Sequence, residues 1–348
     1  MKKKYTIRDI AELAGVSKGT VDRVIHNRGK VSKKALERIT KLLTEIDYEP
    51  NLIARNLKNN KVYDICVLMP DPEVDPYWSP CTDGIKNAII ELKAFGVNIL
   101  TVLFNPQCTK SFLNENENIQ IMLPDAVVLV PLFNKESLFV LEKYEELGII
   151  VSTFNNRINS ATINKFVGQD LFQSGRIAAK LLYGLRKSEG DFVIIHIDEK
   201  YKNAIHMQEK EKGFKSFFDE SLKFKNKILT CKLKHPNFES QFNLFLNEHK
   251  YLTGIFVTTS KVYQVAEIIK NRTQHNISIV GYDLLPENVA HLKEGTIDFL
   301  IHQNPKQQAY LALKYLVDFL LFEKEIPNEL LLPIDIINSE NVEPFMGN

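Results

Sequence analysis

The sequence has one tryptophan, four widely separated cysteines and no long apolar run. Cys66, Cys81, Cys108 and Cys231 lack the spacing of a metal site, so we expect reduced thiols and no bound metal. No apolar stretch reaches the roughly 18 residues that a membrane-spanning helix needs. The lysines at 2–4 are not followed by the apolar segment of a signal peptide. We therefore expect a cytoplasmic protein that does not contact a membrane.

Sequence signatures of common catalytic sites are also missing. No G-x-S-x-G follows a predicted strand, since the one match, Gly15–Gly19, lies between two predicted helices. There is also no Walker-type phosphate loop and no G-x-G-x-x-G after a predicted strand. Asp170 and Asp283 could be taken for a catalytic carboxylate pair, but a protein that binds neutral sugars needs such acceptors too. We expect no catalytic residue, no cofactor and no enzymatic activity.

Charge is distributed unevenly along the 348 residues. Residues 1–61 carry 15 Lys and Arg against 7 Asp and Glu, whereas the remainder carries 29 against 36. A basic head on an acidic body indicates that the head alone binds a polyanion. The chain is longer than a single core usually supports, so we expect at least two domains.

The first 50 residues have the pattern of three short helices. Thr6, Ser17 and Ser32 are each placed to cap the N-terminus of a helix, and Gly15 separates the first two helices. Apolar residues follow at three- and four-residue spacing, and we expect these to face inward: Ile7, Ile10, Ala11, Ala14, Val21, Val24, Ile25, Leu36, Ile39, Leu42, Leu43 and Ile46. A tight glycine turn between two short helices, the second of them basic, predicts a helix-turn-helix unit.

From residue 63 onward, apolar strand candidates alternate with amphipathic stretches of helix length. The strand candidates are Ile65–Met69, Val97–Leu103, Ala126–Val130, Ile149–Phe154, Phe192–Ile197, Ile228–Leu233, Gly254–Val257 and Ile277–Tyr282. The helix candidates include Gly84–Phe95, Glu136–Leu147, Gln173–Leu185, Ala204–Phe218 and Tyr263–Asn271. Near-continuous apolar strands in this alternation predict an α/β fold whose parallel strands are covered on both faces. The strands would fit one wide sheet or two doubly wound lobes.

The head resembles the DNA-binding region of the lactose/galactose repressor (LacI/GalR) family. The matching residues are Tyr5–Ser17, Thr20–Val21, Arg23–Val24, Asn27, Val31–Ser32, Tyr48–Asn51, Ala54–Arg55 and Leu57. The resemblance implies contacts to DNA phosphates from Thr6, Ser17, Thr20, Asn27 and Ser32. It also implies that the second helix reads bases in the major groove through Lys18, Gly19 and Arg23.

Two residues of the second helix depart from the pattern of that family. Gly19 has no side chain with which to read a base, so either it permits close approach or it leaves specificity to Lys18 and Arg23. Asp22 replaces a small residue, and its carboxylate is unfavourable near DNA unless it accepts from a cytosine amine or pairs with Arg23.

Residues 50–61 resemble the hinge of the same family. In that family the hinge folds only on DNA and inserts a leucine into the minor groove; Leu57 stands at that position, with Ala54 one turn earlier. Two hinges must meet for this insertion, so the resemblance implies a homodimer on a pseudo-palindromic DNA operator. The expected division is a helix-turn-helix domain at 1–49, the hinge and linker at 50–61, and a sensor domain at 62–348.

The body resembles the type I periplasmic binding proteins, and their ribose-binding branch in particular. The resemblance implies a two-lobed, doubly wound parallel-sheet core with an N-terminal all-α domain attached. The positions that match ligand-binding positions are Asp75, Tyr77, Trp78, Asn155, Arg157, His206, Gln208, Thr259, Asp283 and Gln303. His206 and Gln208 are alternatives for one role at a helix start. Asn155 replaces a usual Asp and Thr259-Ser260 replaces a common Asn-Asp, so the expected pocket has less negative charge.

These expectations combine into a ligand-responsive, sequence-specific DNA-binding regulator that senses a sugar or sugar-like molecule. Tyr77 and Trp78 favour a sugar, because the C–H face of a pyranose stacks on an aromatic ring. A repressor released by its ligand is the commoner case in the family, and an activator or a corepressor-type regulator is the alternative. An exported sugar-binding protein and a sugar-modifying enzyme are alternatives from other classes.

Overall fold

The computed structural model describes residues 5–25, 29–46, 48, 62–158, 165–186, 190–198, 203–220, 226–272, 277–325 and 327–347. The chain divides into two compact units, Met1–Asn60 and Lys61–Asn348. We call them the head unit and the sensor unit.

The helices of the head unit are α1 (Ile7–Ala14), α2 (Lys18–Ile25) and α3 (Lys33–Glu45). Thr6 caps α1 in a reciprocal arrangement, because its hydroxyl accepts from the Asp9 N–H while the Asp9 carboxylate accepts from the Thr6 N–H. Gly15 ends α1 in the left-handed conformation at φ 62°. The hydroxyls of Ser17 and Ser32 accept from N–H groups in the first turns of α2 and α3. The predicted caps are therefore confirmed.

The core of the head unit confirms all but one of the predicted inward positions. The buried members are Ile10, Ala11, Ala14, Val21, Val24 and Ile39. Those that pack against this cluster at partial burial are Ile7, Ile25, Leu42, Leu43 and Ile46. The prediction is wrong for Leu36, which is 43% exposed because it lies in the first turn of α3, outside the apolar cluster.

The sensor unit alternates strands and helices. Its described strands are β1 (Tyr63–Pro70), β2 (Val97–Phe104), β3 (Ala126–Leu129), β4 (Ile150–Phe154), β5 (Phe166–Gly168), β6 (Asp191–Ile197), β7 (Ile228–Leu233), β8 (Leu252–Val257), β9 (Ser278–Tyr282), β10 (Phe299–His302), β11 (Glu329–Leu331) and β12 (Asp335–Ile337). Its described α-helices are α4 (Ser79–Leu92), α5 (Thr109–Met122), α6 (Asn134–Glu146), α7 (Leu171–Arg186), α8 (Ile205–Asp219), α9 (Phe238–Glu248), α10 (Val262–Lys270), α11 (Pro286–Lys293), α12 (Pro305–Phe322) and α13 (Glu343–Met346). All eight predicted strands and all five named helices are confirmed.

The strands form two six-stranded sheets, one in each lobe. The first sheet has the order β11-β5-β4-β3-β1-β2, and all its neighbours are parallel. The second has the order β12-β10-β9-β8-β6-β7, in which β12 alone runs antiparallel to its neighbour. The two-lobed α/β fold is thus confirmed, and the alternative of one wide sheet is excluded.

Helices cover both faces of each sheet. In the first lobe, α4 and α12 bury one face and α5 and α6 the other. In the second lobe, α7 and α8 bury one face and α9, α10 and α11 the other. The chain crosses between the lobes from β5 to α7, from β10 to α12 and from β11 to β12. These crossings bring the carboxyl ends of both sheets to the same cleft.

Two glycines set the contact between α7 and α8. A Cβ added at Gly175 would lie 2.0 Å from the Lys210 carbonyl oxygen, and one at Gly213 would lie 1.9 Å from the Phe172 carbonyl oxygen. The backbones therefore approach too closely for any side chain at either position. This close packing fixes where α8 holds Lys210.

Candidate functional site

A cavity of about 410 Å³ lies between the two lobes of the sensor unit. Several of its polar side chains directly follow a strand: Asn155 follows β4, Asp198 follows β6, Asp283 follows β9 and Gln303 follows β10. Asn155, Asp198 and Asp283 have positive φ values of 69°, 62° and 65°. Asn and Asp tolerate this left-handed conformation better than other residues with side chains, which suits them to these sharp strand ends.

One wall of the cavity is aromatic. Tyr77 and Trp78 lie on a short 3-10 helix (Pro76–Trp78), and the Asp75 carboxylate accepts from the Tyr77 N–H at its start. Both side chains are buried, and their rings meet edge to face with centroids 4.8 Å apart. The wall therefore offers a rigid apolar surface on the first lobe.

A buried chain of hydrogen bonds runs from this wall to the second lobe. The Asn155 Nδ2 donates to the Tyr77 hydroxyl at 2.5 Å and to the Gln308 Oε1 at 3.4 Å. The Gln308 Nε2 donates to the Gln303 carbonyl oxygen at 2.6 Å. Gln303 in turn donates to Asp283, from its backbone N–H at 3.0 Å and from its Nε2 at 2.6 Å. Side chains from both lobes are thus held in one connected network.

The electrostatics of the cavity centre on Asp283. The pKa of this carboxyl is raised to about 6, mainly because the group is buried and to a smaller extent because Asp75 is nearby. Lys210 and the hydrogen bonds from Gln303 lower the pKa but only partly offset the effect of burial. The pKa of the Tyr77 hydroxyl is raised well above its usual value, first by burial and then by Asp283. Tyr77 is therefore a neutral hydroxyl, and Asp283 changes its charge near pH 6.

The second lobe contributes a buried lysine. The Lys210 Nζ donates to the Thr258 carbonyl oxygen at 3.1 Å and lies 3.6 Å from the centroid of the Tyr282 ring. Behind it, the His196 ring lies between the Thr258 hydroxyl at 2.8 Å and the Glu211 carboxylate at 2.9 Å. The Thr258 carbonyl and the Tyr282 ring therefore hold the ammonium group in the cavity wall.

A second charged group of the cavity surrounds Asp198. The His235 Nδ1 lies 2.9 Å from this carboxylate, and the Lys261 Nζ lies 3.1 Å from it. Burial favours the neutral acid, but the hydrogen bonds from His235 and Lys261 outweigh it and lower the pKa of Asp198. The carboxylate therefore stays ionised and fixes these two side chains in the wall.

Eight of the ten predicted ligand positions line the cavity: Asp75, Tyr77, Trp78, Asn155, His206, Thr259, Asp283 and Gln303. Arg157 does not, because its side chain is 63% exposed and lies 3.2 Å from the Glu329 carboxylate. Gln208 does not line it either. Residues two apart on a helix point in nearly opposite directions, so only His206 of the two alternatives reaches the cavity.

Several charged or polar cavity residues are not predicted from the sequence: Asp198, Asn203, Lys210, His235 and Lys261. Asp198 directly follows a predicted strand, and that position could have identified it. Lys210 gives no such signal, since a lysine on an amphipathic helix is usually exposed to solvent.

In the head unit, the predicted base-reading residues Lys18, Gly19 and Arg23 are exposed. Of the predicted phosphate contacts, Thr6, Ser17 and Ser32 are exposed and Thr20 is partly buried, with hydroxyls of Ser17 and Thr20 2.9 Å apart. A Cβ added at Gly19 would meet only the Ser17 Oγ, at 3.9 Å, so internal packing does not require a glycine there. Asn27, Ala54 and Leu57 lie outside the described residues.

Each unit of the chain matches a known protein family. The model of the lacI family of bacterial regulatory proteins matches residues 6–51, and that of the periplasmic binding protein domain matches residues 65–324. The sucrose operon repressor of Streptococcus mutans is 27% identical over 97% of this chain and 99% of its own. The ribose operon repressor of Lactococcus lactis is 24% identical over 97% of this chain and 98% of its own.

Solved structures agree with the fold of the sensor unit. A protein from Bacteroides fragilis assigned as a LacI transcriptional regulator superposes with a TM-score of 0.77 at 29% identity, over 82% of this chain and 99% of its own. GanP, a glucose-galactose binding protein from Geobacillus stearothermophilus, superposes with a TM-score of 0.71 at 21% identity, over 81% of this chain and 99% of its own. Among the helices that the structure describes, none is long and apolar enough to span a membrane.

Proposed function

Because the chain belongs to the lacI family of bacterial regulatory proteins and carries a periplasmic binding protein domain, we propose that a sugar bound between the lobes controls its affinity for a DNA operator. The observation that carries this proposal is the composition of the cavity. An aromatic wall stands beside a network of fixed hydrogen-bonding groups, and one face of a sugar ring is apolar while its edge is polar.

The chemistry of the polar groups supports an uncharged polyol. Asp283 and the carbonyl-bearing side chains of Asn155 and Gln303 supply acceptors for hydroxyl hydrogens, and the Lys210 ammonium supplies a donor. The names of the relatives point the same way, since they are repressors of a sucrose and of a ribose operon. Three cavity positions, Asn155, Thr259 and Ser260, differ from the pattern of the ribose-binding branch, so the sugar of this chain need not be that of its relatives.

On the DNA side, we propose that two copies of the chain bind a pseudo-palindromic operator. Lys18 and Arg23 are the exposed side chains of α2 that would read bases, and Arg23 could donate two hydrogen bonds to a guanine. Leu57 of each copy would open the central minor groove, with Ala54 beside it. Closure of the lobes on the sugar would change hinge folding and hence operator affinity, a coupling that must be reciprocal.

We propose repression as the sign of control, because the full-length relatives are repressors. Activation and corepression use the same residues and differ only in which state of the cleft favours the folded hinge. Neither alternative changes the assignment of the cavity.

The proposal is tested by titrating the protein with neutral pentoses, hexoses, uronic acids, inositols and sugar phosphates. Trp78 is the only tryptophan and lines the cavity, so its emission reports binding directly. An operator selected from random duplex DNA is then titrated with and without the sugar that binds. A saturable change in Trp78 emission together with a shift in operator affinity supports the proposal; sugar binding without any shift in operator affinity contradicts it.

A further inference from the structure

Helix α6 of the first lobe begins without a capping side chain of its own. Its N-cap residue is Phe133, which makes no side-chain capping hydrogen bond. The first N–H groups of any helix lack a partner within the helix and need an acceptor from elsewhere. Phe133 cannot supply one, because a phenyl ring is not a hydrogen-bond acceptor of that kind.

The acceptor comes from the other lobe. Asn203 lies just before α8 in the second lobe, and its Oδ1 accepts from the Lys135 N–H at 3.0 Å. Its Nδ2 donates to the Glu136 Oε2 at 2.8 Å. One carboxamide therefore satisfies two groups in the first turn of α6, as a capping box does, but from across the cleft.

These two hydrogen bonds depend on the separation of the lobes. Asn203 and α6 belong to different lobes, so a rotation that widens the cleft pulls them apart. Asn203 and Phe133 also both line the cavity, so the capping contact lies beside the space where we propose that a ligand binds. The contact therefore requires the lobe separation seen in this structure and would be lost if the cleft widened.

We infer that Asn203 is a positioning residue that caps α6 across the cleft and thereby stabilises the closed state of the sensor unit. Apparent ligand affinity scales with the fraction of protein in the binding-competent state, so loss of the cap weakens binding. The part of this inference that concerns ligand affinity rests on the proposed function; the part that concerns closure does not.

The test swaps the carboxamide of Asn203 and the carboxylate of Glu136 between the two positions. Asn203→Asp keeps an acceptor for the Lys135 N–H but sets two carboxylates against each other, so the cleft should open. Adding Glu136→Gln restores a donor opposite that carboxylate, so the double variant should close again. Sugar affinity should fall about 2- to 10-fold in Asn203→Asp and recover in the double variant. A merely structural role would not produce this recovery.

A matched control exists within one lobe. At the end of α10 the Asn271 Nδ2 donates to the Glu267 Oε1 at 3.2 Å, so Asn271→Asp creates the same kind of carboxylate contact without crossing the cleft. It should leave cleft closure and sugar affinity unchanged.

Closure is measured first without any ligand, in the full chain. Trp78 is buried at 3% exposure and faces the cavity, so acrylamide should quench its emission more strongly when the cleft opens. Stronger quenching in Asn203→Asp that returns to the parent value in the double variant supports the inference, even if no sugar in the panel binds. Equal quenching in all variants, or an equal change in Asn271→Asp, overturns it.

Discussion

Gln303 holds the Asp283 carboxylate at both oxygens, through its backbone N–H at 3.0 Å and its side-chain amide at 2.6 Å. Asp283 ends a strand of the second lobe, whereas Gln303 lies where the chain crosses to the first lobe. Because Gln303 also lines the cavity, a ligand bound at Asp283 would lie next to the segment that connects the lobes.

Sugar affinity should depend on pH through Asp283. Its pKa is about 6 because it is buried, so acidification from pH 8 to pH 5 protonates it. A protonated carboxyl loses acceptor capacity, and at one pH unit below the pKa only about a tenth of it is ionised, so affinity should fall about tenfold. In the Asp283→Asn variant, sugar affinity should not change with pH over this range. A parent profile that is also flat would contradict the acceptor role.

Asp283 should also affect stability, with a definite sign. Its pKa rises from 3.8 in the unfolded chain to about 6 in the folded protein, so the folded state binds the proton more tightly. The group's contribution is therefore most favourable below pH 3.8 and is lost as pH rises through about 6, a change on the order of 3 kcal/mol. Urea unfolding at several pH values should show the parent losing stability relative to Asp283→Asn over this window.

Gln308 should matter for binding although it does not line the cavity. Gln308→Leu removes the link between Asn155 and Gln303 and leaves a buried carbonyl unpaired, at a cost of about 1–3 kcal/mol in stability. With both cavity residues released, sugar affinity should fall about tenfold. Gln307→Leu is the matched control, since Gln307 is the exposed neighbour on the same helix. Similar losses in the two variants would refute the positioning role.

Two glycines of α7 should respond oppositely to alanine. Gly175→Ala forces a Cβ to within 2.0 Å of the Lys210 carbonyl oxygen and should destabilise the sensor unit by about 3 kcal/mol. Gly184 has no neighbour within 4 Å of that position, so Gly184→Ala should stabilise the helix by about 0.5–1 kcal/mol. Thermal unfolding of both variants measures the difference. A stable Gly175→Ala variant would mean that α7 and α8 pack less closely than described.

Arg23 should carry sequence discrimination and not only affinity. Arg23→Ala should weaken operator binding by about 1–3 kcal/mol while changing nonspecific binding little. Lys41→Ala removes one exposed positive charge from α3 and serves as the control. It should affect operator and random DNA equally, as measured by salt-dependent titration. If both variants reduced the two affinities in parallel, Arg23 would be a phosphate contact.

Much of the fold follows from the sequence because its signals are local. The strands of the two sheet centres are near-continuous apolar runs, as parallel strands covered on both faces must be. The sequence does not predict strands β5, β10, β11 and β12, because strands of three or four residues are too short to show a clear periodicity. Their positions depend on the neighbouring strands with which they pair.

The candidate site divides in the same way. Asn155, Asp283 and Gln303 could be predicted because they follow strands and match a family pattern, whereas Gln308 and Asn203 could not. Gln308 forms hydrogen bonds with Asn155 and Gln303, which lie 153 and 5 positions away in the chain. Asn203 forms hydrogen bonds with Lys135 and Glu136, which lie 68 and 67 positions away. The contacts with Asn155 and with α6 join segments far apart in the chain, so the sequence around Gln308 and Asn203 does not predict them.

The sequence by itself therefore determined the helix-turn-helix head, the alternating strands and helices, and several polar positions of the cavity, because caps, periodicity and strand ends are short-range properties. Only the tertiary structure decided that the strands form two sheets, that Lys210 is buried and that Arg157 faces away. It also decided which carboxamide caps α6. Each of these depends on contacts between segments far apart in the chain, and packing alone settles them.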